Sequence, residues 1–166
     1  MQAFYGVSAG AAATLVGLLF VAVQIGPPLA TGGPVGRRHA MARSTFTIFA
    51  VIFALSLFFT TSLPTPRLKA LVAIAAATIG GIRAVRTWIP VWRDKLHGRI
   101  EFRLWQTAWL LIGPVLTYIY LAFGSLQQLG SNDPKVIDFY AANVFIILFV
   151  VGLRNSWSLL VEATPS

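Results

Sequence analysis

The sequence predicts an all-α protein, a polytopic membrane helix bundle with five transmembrane helices. Five apolar stretches fill most of the 166 residues, each close to the roughly 20 residues that a helix needs to cross a bilayer. Lysine and arginine alternate between the connecting segments, ten on one side and three on the other. All five tryptophans lie near one predicted membrane face, where amphipathic rings prefer to sit. With no internal repeat, we expect one domain over residues 1–166.

Three of the spans have long charge-free cores. Phe4 to Ile25 is 22 residues long, Thr45 to Leu63 is 19, and Leu104 to Phe123 is 20. The last is interrupted by Gly113-Pro114, which predicts a kink that a membrane helix tolerates when neighbours satisfy the freed backbone groups.

The other two spans have charges close to the membrane. Their charge-free cores, residues 70–82 and 139–153, would cover roughly 20 Å and 22 Å of a hydrocarbon layer about 30 Å thick. We therefore expect Lys69 and Asp138 to extend toward one face, and flanking arginines toward the other. The five predicted spans are 4–25, 45–63, 66–86, 104–123 and 137–157.

The basic residues predict the orientation, because cytoplasmic segments carry the excess of lysine and arginine. Ten against three places the N-terminus outside and the C-terminus in the cytoplasm. The same asymmetry explains the net charge of +8, so no nucleic-acid partner is expected. Arginine outnumbers lysine ten to three beside abundant alanine, which is typical of GC-rich bacteria. We expect a multi-pass protein of the bacterial inner membrane.

Two cytoplasmic connections are predicted. Residues 26–38 form a flexible loop of glycines and prolines that ends in the basic cluster Arg37-Arg38-His39. In residues 86–103, Trp88 and Trp92 share a helical face. That segment either lies in the membrane interface as a separate short helix ended by Gly98 or extends the third span into water.

Small residues at helical spacing predict where helices pack closely. One stripe occupies the first span and a second occupies the third, with the members Gly6, Gly10, Gly17, Ala73, Ala77 and Gly81. The stripes either pack the first and third helices together or drive association into an oligomer. Asn143, about one turn inside the outer edge, is the best candidate for an interhelical hydrogen bond.

An anion site is predicted at the cytoplasmic boundary. Arg83, Arg86, Arg154 and Asn155 lie near a common depth and would converge if the third and fifth helices were neighbours. Guanidinium groups pair well with phosphate, so the expected ligand is the headgroup of an anionic lipid such as cardiolipin. The alternative is ordinary extension of these arginines to the membrane surface.

Several chemistries are not expected. The chain has zero cysteines, which excludes disulfides and thiolate metal sites. Its two histidines, His39 and His97, with Glu101 one turn after the second, lie in arginine-rich segments that repel a cation, so we predict no metal, haem or other cofactor. No span carries a carboxylate pair or a nucleophile with a base, so we predict no enzyme.

Two functional classes remain. The first is a non-enzymatic accessory or regulatory membrane subunit, which docks through small-residue stripes on a larger membrane partner and contacts lipid or cytosolic protein through its basic loops. The second is a homo-oligomeric ion channel or passive transport protein, which would have to assemble because no span shows a continuous polar stripe.

Two segments carry a resemblance that spans the chain. Residues 9–22, AGAAATLVGLLFVA, and residues 154–161, RNSWSLLV, resemble a loose group of small bacterial multi-pass membrane proteins of unassigned function. Some members of that group are labelled modulators of a membrane-bound AAA protease. The resemblance implies an accessory role and assigns no site, because the matching residues are packing residues.

Overall fold

The structure is a computed structural model that describes residues 1–25, 35–61, 65–96, 104–131, 133 and 135–161. The described residues form five α-helices and no strand, which confirms the predicted all-α class. The helices are α1 (Gln2–Ile25), α2 (Val35–Thr60), α3 (Pro66–Leu96), α4 (Leu104–Gly130) and α5 (Lys135–Val161).

Four helices are long and apolar enough to cross a membrane. Within the described residues these candidate spans are Gln2–Val21 in α1, Ala42–Thr60 in α2, Pro66–Thr87 in α3 and Lys135–Trp157 in α5. No candidate span falls in the described part of α4. Four candidate spans by length and composition support a membrane helix bundle, and the fifth span stays a prediction.

Successive helices alternate in direction around α2. This helix contacts α1, α3 and α5, while α4 packs against α3 and α5. Side chains from the starts of α1, α3 and α5 meet the end of α2 around one cavity, and we call this the N-terminal end. At the opposite end, where α2 and α4 begin, lie Arg83 and Arg154, and we call this the arginine end.

Polar groups define the starts of two helices at the N-terminal end. The Thr65 hydroxyl accepts a hydrogen bond from the Leu68 amide at 3.3 Å, just before α3 begins at Pro66. Threonine before a helix and proline in its first turn both favour a helix start. The Asp133 carboxylate accepts a hydrogen bond from the Lys135 amide at 2.9 Å, at the start of α5.

The interior is filled by aromatic and aliphatic side chains. Tyr5, Phe49, Phe59 and Phe145 are among the largest fully buried side chains. Such packing stabilises a membrane bundle through dispersion contacts, because lipid tails are as apolar as these side chains. Glycine permits a close approach at Gly152, where an added Cβ would lie 2.7 Å from the Phe49 ring.

The predicted pairing of the first and third helices is wrong. α1 packs mainly against α2. Its contacts with α5 and α3 are at most marginal. The buried side of α1 carries Tyr5, Ala9, Ala12 and Leu19. The glycine stripe of α1 lies on a different side of the helix. The small residues therefore did not identify the helix that packs against α1.

Two connecting segments also differ from their predictions. α3 continues unbroken to Leu96, so residues 86–96 extend the third span, and the alternative of a separate interfacial helix is wrong. α2 begins at Val35, which places Arg37, Arg38 and His39 in its first turns and not in a loop. Residues 26–34 and 97–103, with Gly98 and Glu101, lie outside the described residues.

Candidate functional site

Three polar side chains meet at the N-terminal end, and we call them the Asp138 cluster: Tyr5, Lys69 and Asp138. The Tyr5 hydroxyl donates a hydrogen bond to Asp138 Oδ1 at 2.9 Å and also approaches the Asp138 carbonyl oxygen at 3.4 Å. Lys69 Nζ lies 3.4 Å from the same Oδ1 and forms an ion pair with it. One carboxylate therefore joins the first turns of α1, α3 and α5.

Aromatic rings surround this cluster. Tyr5 packs edge-on against Phe59 and Phe145, with ring centroids 5.2 Å and 5.8 Å away. Lys69 Nζ lies 5.4 Å from the centroid of the Phe59 ring, where a cation is attracted to the negative face of the ring. The side chains of Lys69 and Asp138 are each 18% exposed. The pair is therefore shielded more than a surface salt bridge would be.

An open cavity of about 470 Å³ lies beside the cluster. It is lined by Met1, Gln2, Ala3, Tyr5, Phe59, Thr61, Lys69 and Asp138. Asp138 in its lining is already bonded to a hydroxyl and an ammonium group, and no second acid or thiol is among the described lining residues. Because these bonds join three helices, the arrangement supports an anchor between helices.

The residues of the predicted anion site have different surroundings at the arginine end. Arg83 lines a groove between α2 and α3, whereas Arg86 and Arg154 are exposed. Asn155 is fully buried, and its amide nitrogen and oxygen have no hydrogen-bond partner among the described residues. α3 and α5 touch only marginally, and a pocket shared by Arg83 and Arg154 stays a prediction.

The two small-residue stripes have different environments. Ala73 and Ala77 are buried, and a Cβ added at Gly81 would lie 3.9 Å from Tyr118 of α4, so the stripe of α3 is covered within the bundle. In contrast, a Cβ added at each glycine of the α1 stripe would meet no described atom within 4 Å. We call this uncovered stripe the glycine face; its members are Gly6, Gly10 and Gly17.

Asn143 does not form the predicted interhelical hydrogen bond within the described structure. Its side-chain amide donates to the Phe139 carbonyl at 3.0 Å, one turn earlier in α5. A short polar side chain on a helix readily bonds to the preceding turn of its own backbone. The α4–α5 connection uses Gln128 instead, whose Oε1 accepts a hydrogen bond from the Ile137 amide at 2.9 Å.

Sequence reasoning missed the Asp138 cluster, although part of its signal was present. Lys69 and Asp138 were predicted at the same membrane face, and Asp138 is the only acid near a predicted span edge. Opposite charges at a common depth are expected to pair. Nothing in the sequence distinguished Tyr5 from other interfacial aromatic residues.

No protein-family model matches the sequence, and comparisons with curated proteins and with solved structures find no match. The resemblance to small bacterial membrane proteins therefore stays a prediction. Among the described residues, no group of three or more histidine, cysteine, aspartate or glutamate side chains could hold a metal ion. The side chains of His39, His97 and Glu101 lie outside the described residues.

Proposed function

We propose that this protein is a non-enzymatic accessory or regulatory subunit of the bacterial inner membrane, which docks on a larger membrane protein through the glycine face of α1. The observation that carries the proposal is the open space around Gly6, Gly10 and Gly17, where an added Cβ would meet no atom of the described residues within 4 Å.

Exposed glycine in a membrane helix differs from exposed leucine or valine. Large apolar side chains such as Val7 and Leu18 face lipid without penalty, because no hydrophobic force drives them inward. Glycine in a helix interior costs about 0.8–1.0 kcal/mol relative to alanine, and it allows another helix backbone to approach closely. Three exposed glycines on one side of α1 are therefore suited to a partner helix.

The attachment of α1 leaves room for that partner. α1 packs mainly on α2, and Tyr5 anchors its first turn through Asp138 at 2.9 Å. The anchor and the glycine face occupy different sides of the helix. A partner can therefore bind without displacing α1 from the bundle.

The alternative is a homo-oligomeric ion channel or passive transport protein. The glycine face would serve self-association equally well, but a conduit also needs a polar path. In the described interior, residues such as Ile52, Phe59 and Leu148 are fully buried, and the buried Ser125 hydroxyl donates to its own helix at the Leu121 carbonyl, 2.7 Å away. The apolar core favours the accessory role over a pore through one bundle.

For the topology we propose five spans with the N-terminus outside and the C-terminus in the cytoplasm. The ten-to-three distribution of basic residues supports this orientation under the positive-inside rule. The alternating helix directions are compatible with it, since α1, α3 and α5 start at the same end.

A matched pair of variants tests the docking surface. Gly10→Leu blocks the glycine face, whereas Ala11→Leu adds the same side chain at the adjacent exposed position outside the stripe. After extraction of native membranes in mild detergent, we expect wild type and Ala11→Leu to migrate in a complex of defined mass with a second protein. Gly10→Leu should migrate alone. Equal assembly of both variants would contradict the proposal, and a mass equal to several copies of this chain would favour the oligomeric alternative.

A further inference from the structure

A groove of about 370 Å³ runs along the outside of the bundle between α2 and α3. Its lining is apolar except at the arginine end and includes the small residues Ala50, Ala54, Ala76 and Gly80. From Val72 to Arg83 the groove spans roughly 16 Å of helix. That length is about half of the roughly 30 Å hydrocarbon core, or one lipid leaflet.

Arg83 provides a positive charge at one end of this groove. Its guanidinium group is exposed and forms no ion pair or hydrogen bond with any described residue. Arg83 lies about one turn before Thr87, where the candidate span of α3 ends. A phosphate group at the membrane surface would meet the arginine at this depth and pair with it in bidentate fashion.

A small recess of about 10 Å³ adjoins the groove and shares Thr47, Gly80 and Arg83 with it. Tyr118 of α4 lines the recess and is only 3% exposed. Its hydroxyl has no hydrogen-bond partner among the described residues and lies 3.0 Å from a Cβ added at Gly80. A buried hydroxyl without a partner is costly, and the recess has room for about one water molecule.

We propose that this groove binds one anionic phospholipid, with an acyl chain between α2 and α3 and the phosphate on Arg83. The Tyr118 hydroxyl donates to a lipid oxygen, directly or through one water in the recess. Of the predicted anion-site residues Arg83, Arg86, Arg154 and Asn155, this site uses Arg83 alone. It does not depend on the docking role of α1. It accounts together for the apolar groove, the unpaired arginine and the unpartnered hydroxyl.

The groove dimensions and charge favour a lipid over another helix. A helix about 10 Å wide and 16 Å long occupies roughly 1,200 Å³, about three times the volume of the groove. A transmembrane partner would also place apolar side chains along the whole length, leaving Arg83 without a counter-charge. A single acyl chain with a phosphate at one end matches both the narrow lining and the charged end.

Two matched pairs of variants test the proposal. Arg83→Gln removes the groove charge, and Arg86→Gln removes an exposed charge on the same helix that does not line the groove. Ala75→Phe fills the groove, and Val85→Phe adds a ring at an exposed position outside it. Circular dichroism of each purified variant verifies that helix content is unchanged. Binding of dioleoyl phosphatidylglycerol and dioleoyl phosphatidylcholine is then measured by native mass spectrometry.

We expect wild type, Arg86→Gln and Val85→Phe to bind phosphatidylglycerol in preference to phosphatidylcholine. Arg83→Gln should bind phosphatidylglycerol about tenfold more weakly, as expected for loss of a charge-assisted hydrogen bond, and Ala75→Phe should bind neither lipid in this site. Tyr118→Phe should weaken binding severalfold without lowering the unfolding temperature of the lipid-free protein.

Three results would overturn the proposal. The first is equal weakening by Arg83→Gln and Arg86→Gln, which would indicate general charge attraction. The second is full competition by soluble glycerol phosphate, which would show an anion site without an acyl-chain groove. The third is loss of a dimer, rather than of bound lipid, in Ala75→Phe, which would make a second copy of this chain the occupant.

Discussion

A single carboxylate oxygen at the N-terminal end joins three helices. Asp138 Oδ1 accepts from the Tyr5 hydroxyl at 2.9 Å and pairs with Lys69 Nζ at 3.4 Å. Hydrogen bonds to charged groups contribute more than neutral ones, and apolar surroundings reduce the competition from water. We infer that this cluster, together with the ring contact between Tyr5 and Phe145, fixes α1 against α5, since the backbones of the two helices approach only marginally.

Removal of the Tyr5 hydroxyl should destabilise the bundle. Tyr5→Phe keeps the ring packing against Phe59 and loses the bond to Asp138, so we expect the free energy of unfolding to fall by about 1–2 kcal/mol. The measurement is denaturant unfolding in detergent micelles. Tyr120→Phe is the control, because no described hydrogen bond involves the Tyr120 hydroxyl. Equal effects of the two variants would show that the Asp138 bond contributes nothing.

The sequence predicted the approximate membrane depth of polar side chains better than it predicted their bonding partners. The sequence predicted Lys69 and Asp138 at the same membrane face. Whether they form an ion pair depends on which helices are neighbours, and the sequence did not show this. Asn143 was expected to bond across helices and instead bonds to Phe139 in its own helix. A side chain that can reach its own backbone does not report its tertiary environment.

Glycines divide the helices into covered and uncovered faces. At Gly152 of α5, an added Cβ would lie 2.7 Å from the fully buried Phe49 ring, so the α2–α5 contact requires glycine there. At Gly10 of α1 an added Cβ would meet no atom within 4 Å in the part of the chain that the structure describes. The sequence predicts Gly10 as a close-packing position and does not single out Gly152. Only the arrangement of the helices distinguishes an internal contact from an open one.

The two glycines should respond differently to alanine. Gly152→Ala forces the Phe49 ring to move in a filled interior and should lower the free energy of unfolding by about 1–3 kcal/mol. Gly10→Ala should leave it unchanged or raise it by up to about 1 kcal/mol through helix propensity. The measurement is thermal unfolding of wild type and both variants in the same detergent. A large loss at Gly10 would mean that α1 already uses its glycine face within one chain.

Helix identity was largely predictable because it depends on local apolar length. The five predicted spans each fall within one helix over most of their length, although α4 continues beyond Phe123 to Gly130 and α3 to Leu96. The partner of α1 was not predictable, because small residues show that close approach is possible and not which helix approaches. The groove between α2 and α3 likewise depends on helix pairing and was not foreseen.

Over the whole molecule, charge and polarity differ between the two ends. The N-terminal end holds a paired carboxylate beside a cavity of about 470 Å³, and the arginine end holds Arg83 beside an apolar groove of about 370 Å³. Fully buried side chains, including Ile48, Ile52 and Leu55, separate them along α2. This distribution suits a subunit with different contacts at its two ends and offers no continuous polar route through the described bundle.

The proposed orientation predicts the location of both termini. A reporter fused after Ser166 should read cytoplasmic. The basic segments place the N-terminus outside, and an odd number of spans then places the C-terminus inside. A reporter placed before Met1 should read external and serves as the matched fusion. A cytoplasmic result for both termini would require an even number of spans and would contradict a membrane-spanning α4.

The apolar core predicts that the isolated protein conducts poorly. Purified protein in liposomes should give the same ion flux as empty vesicles across several ions and pH values, because a conduit requires a polar lining. A well-characterised channel in parallel vesicles verifies the assay. Flux that disappears in Gly10→Leu would instead support an oligomeric conduit assembled through the glycine face.

Cross-linking from the glycine face in native membranes tests the central claim most directly. The chain has zero cysteines, so Gly10→Cys and Ala11→Cys each carry one unique site for a photoactivatable thiol probe. We predict that Gly10→Cys forms an adduct of one defined mass with a second membrane protein, whereas Ala11→Cys yields only background labelling. The accessory role would be contradicted by identical labelling from both positions, or by a Gly10→Cys adduct of twice the mass of this chain.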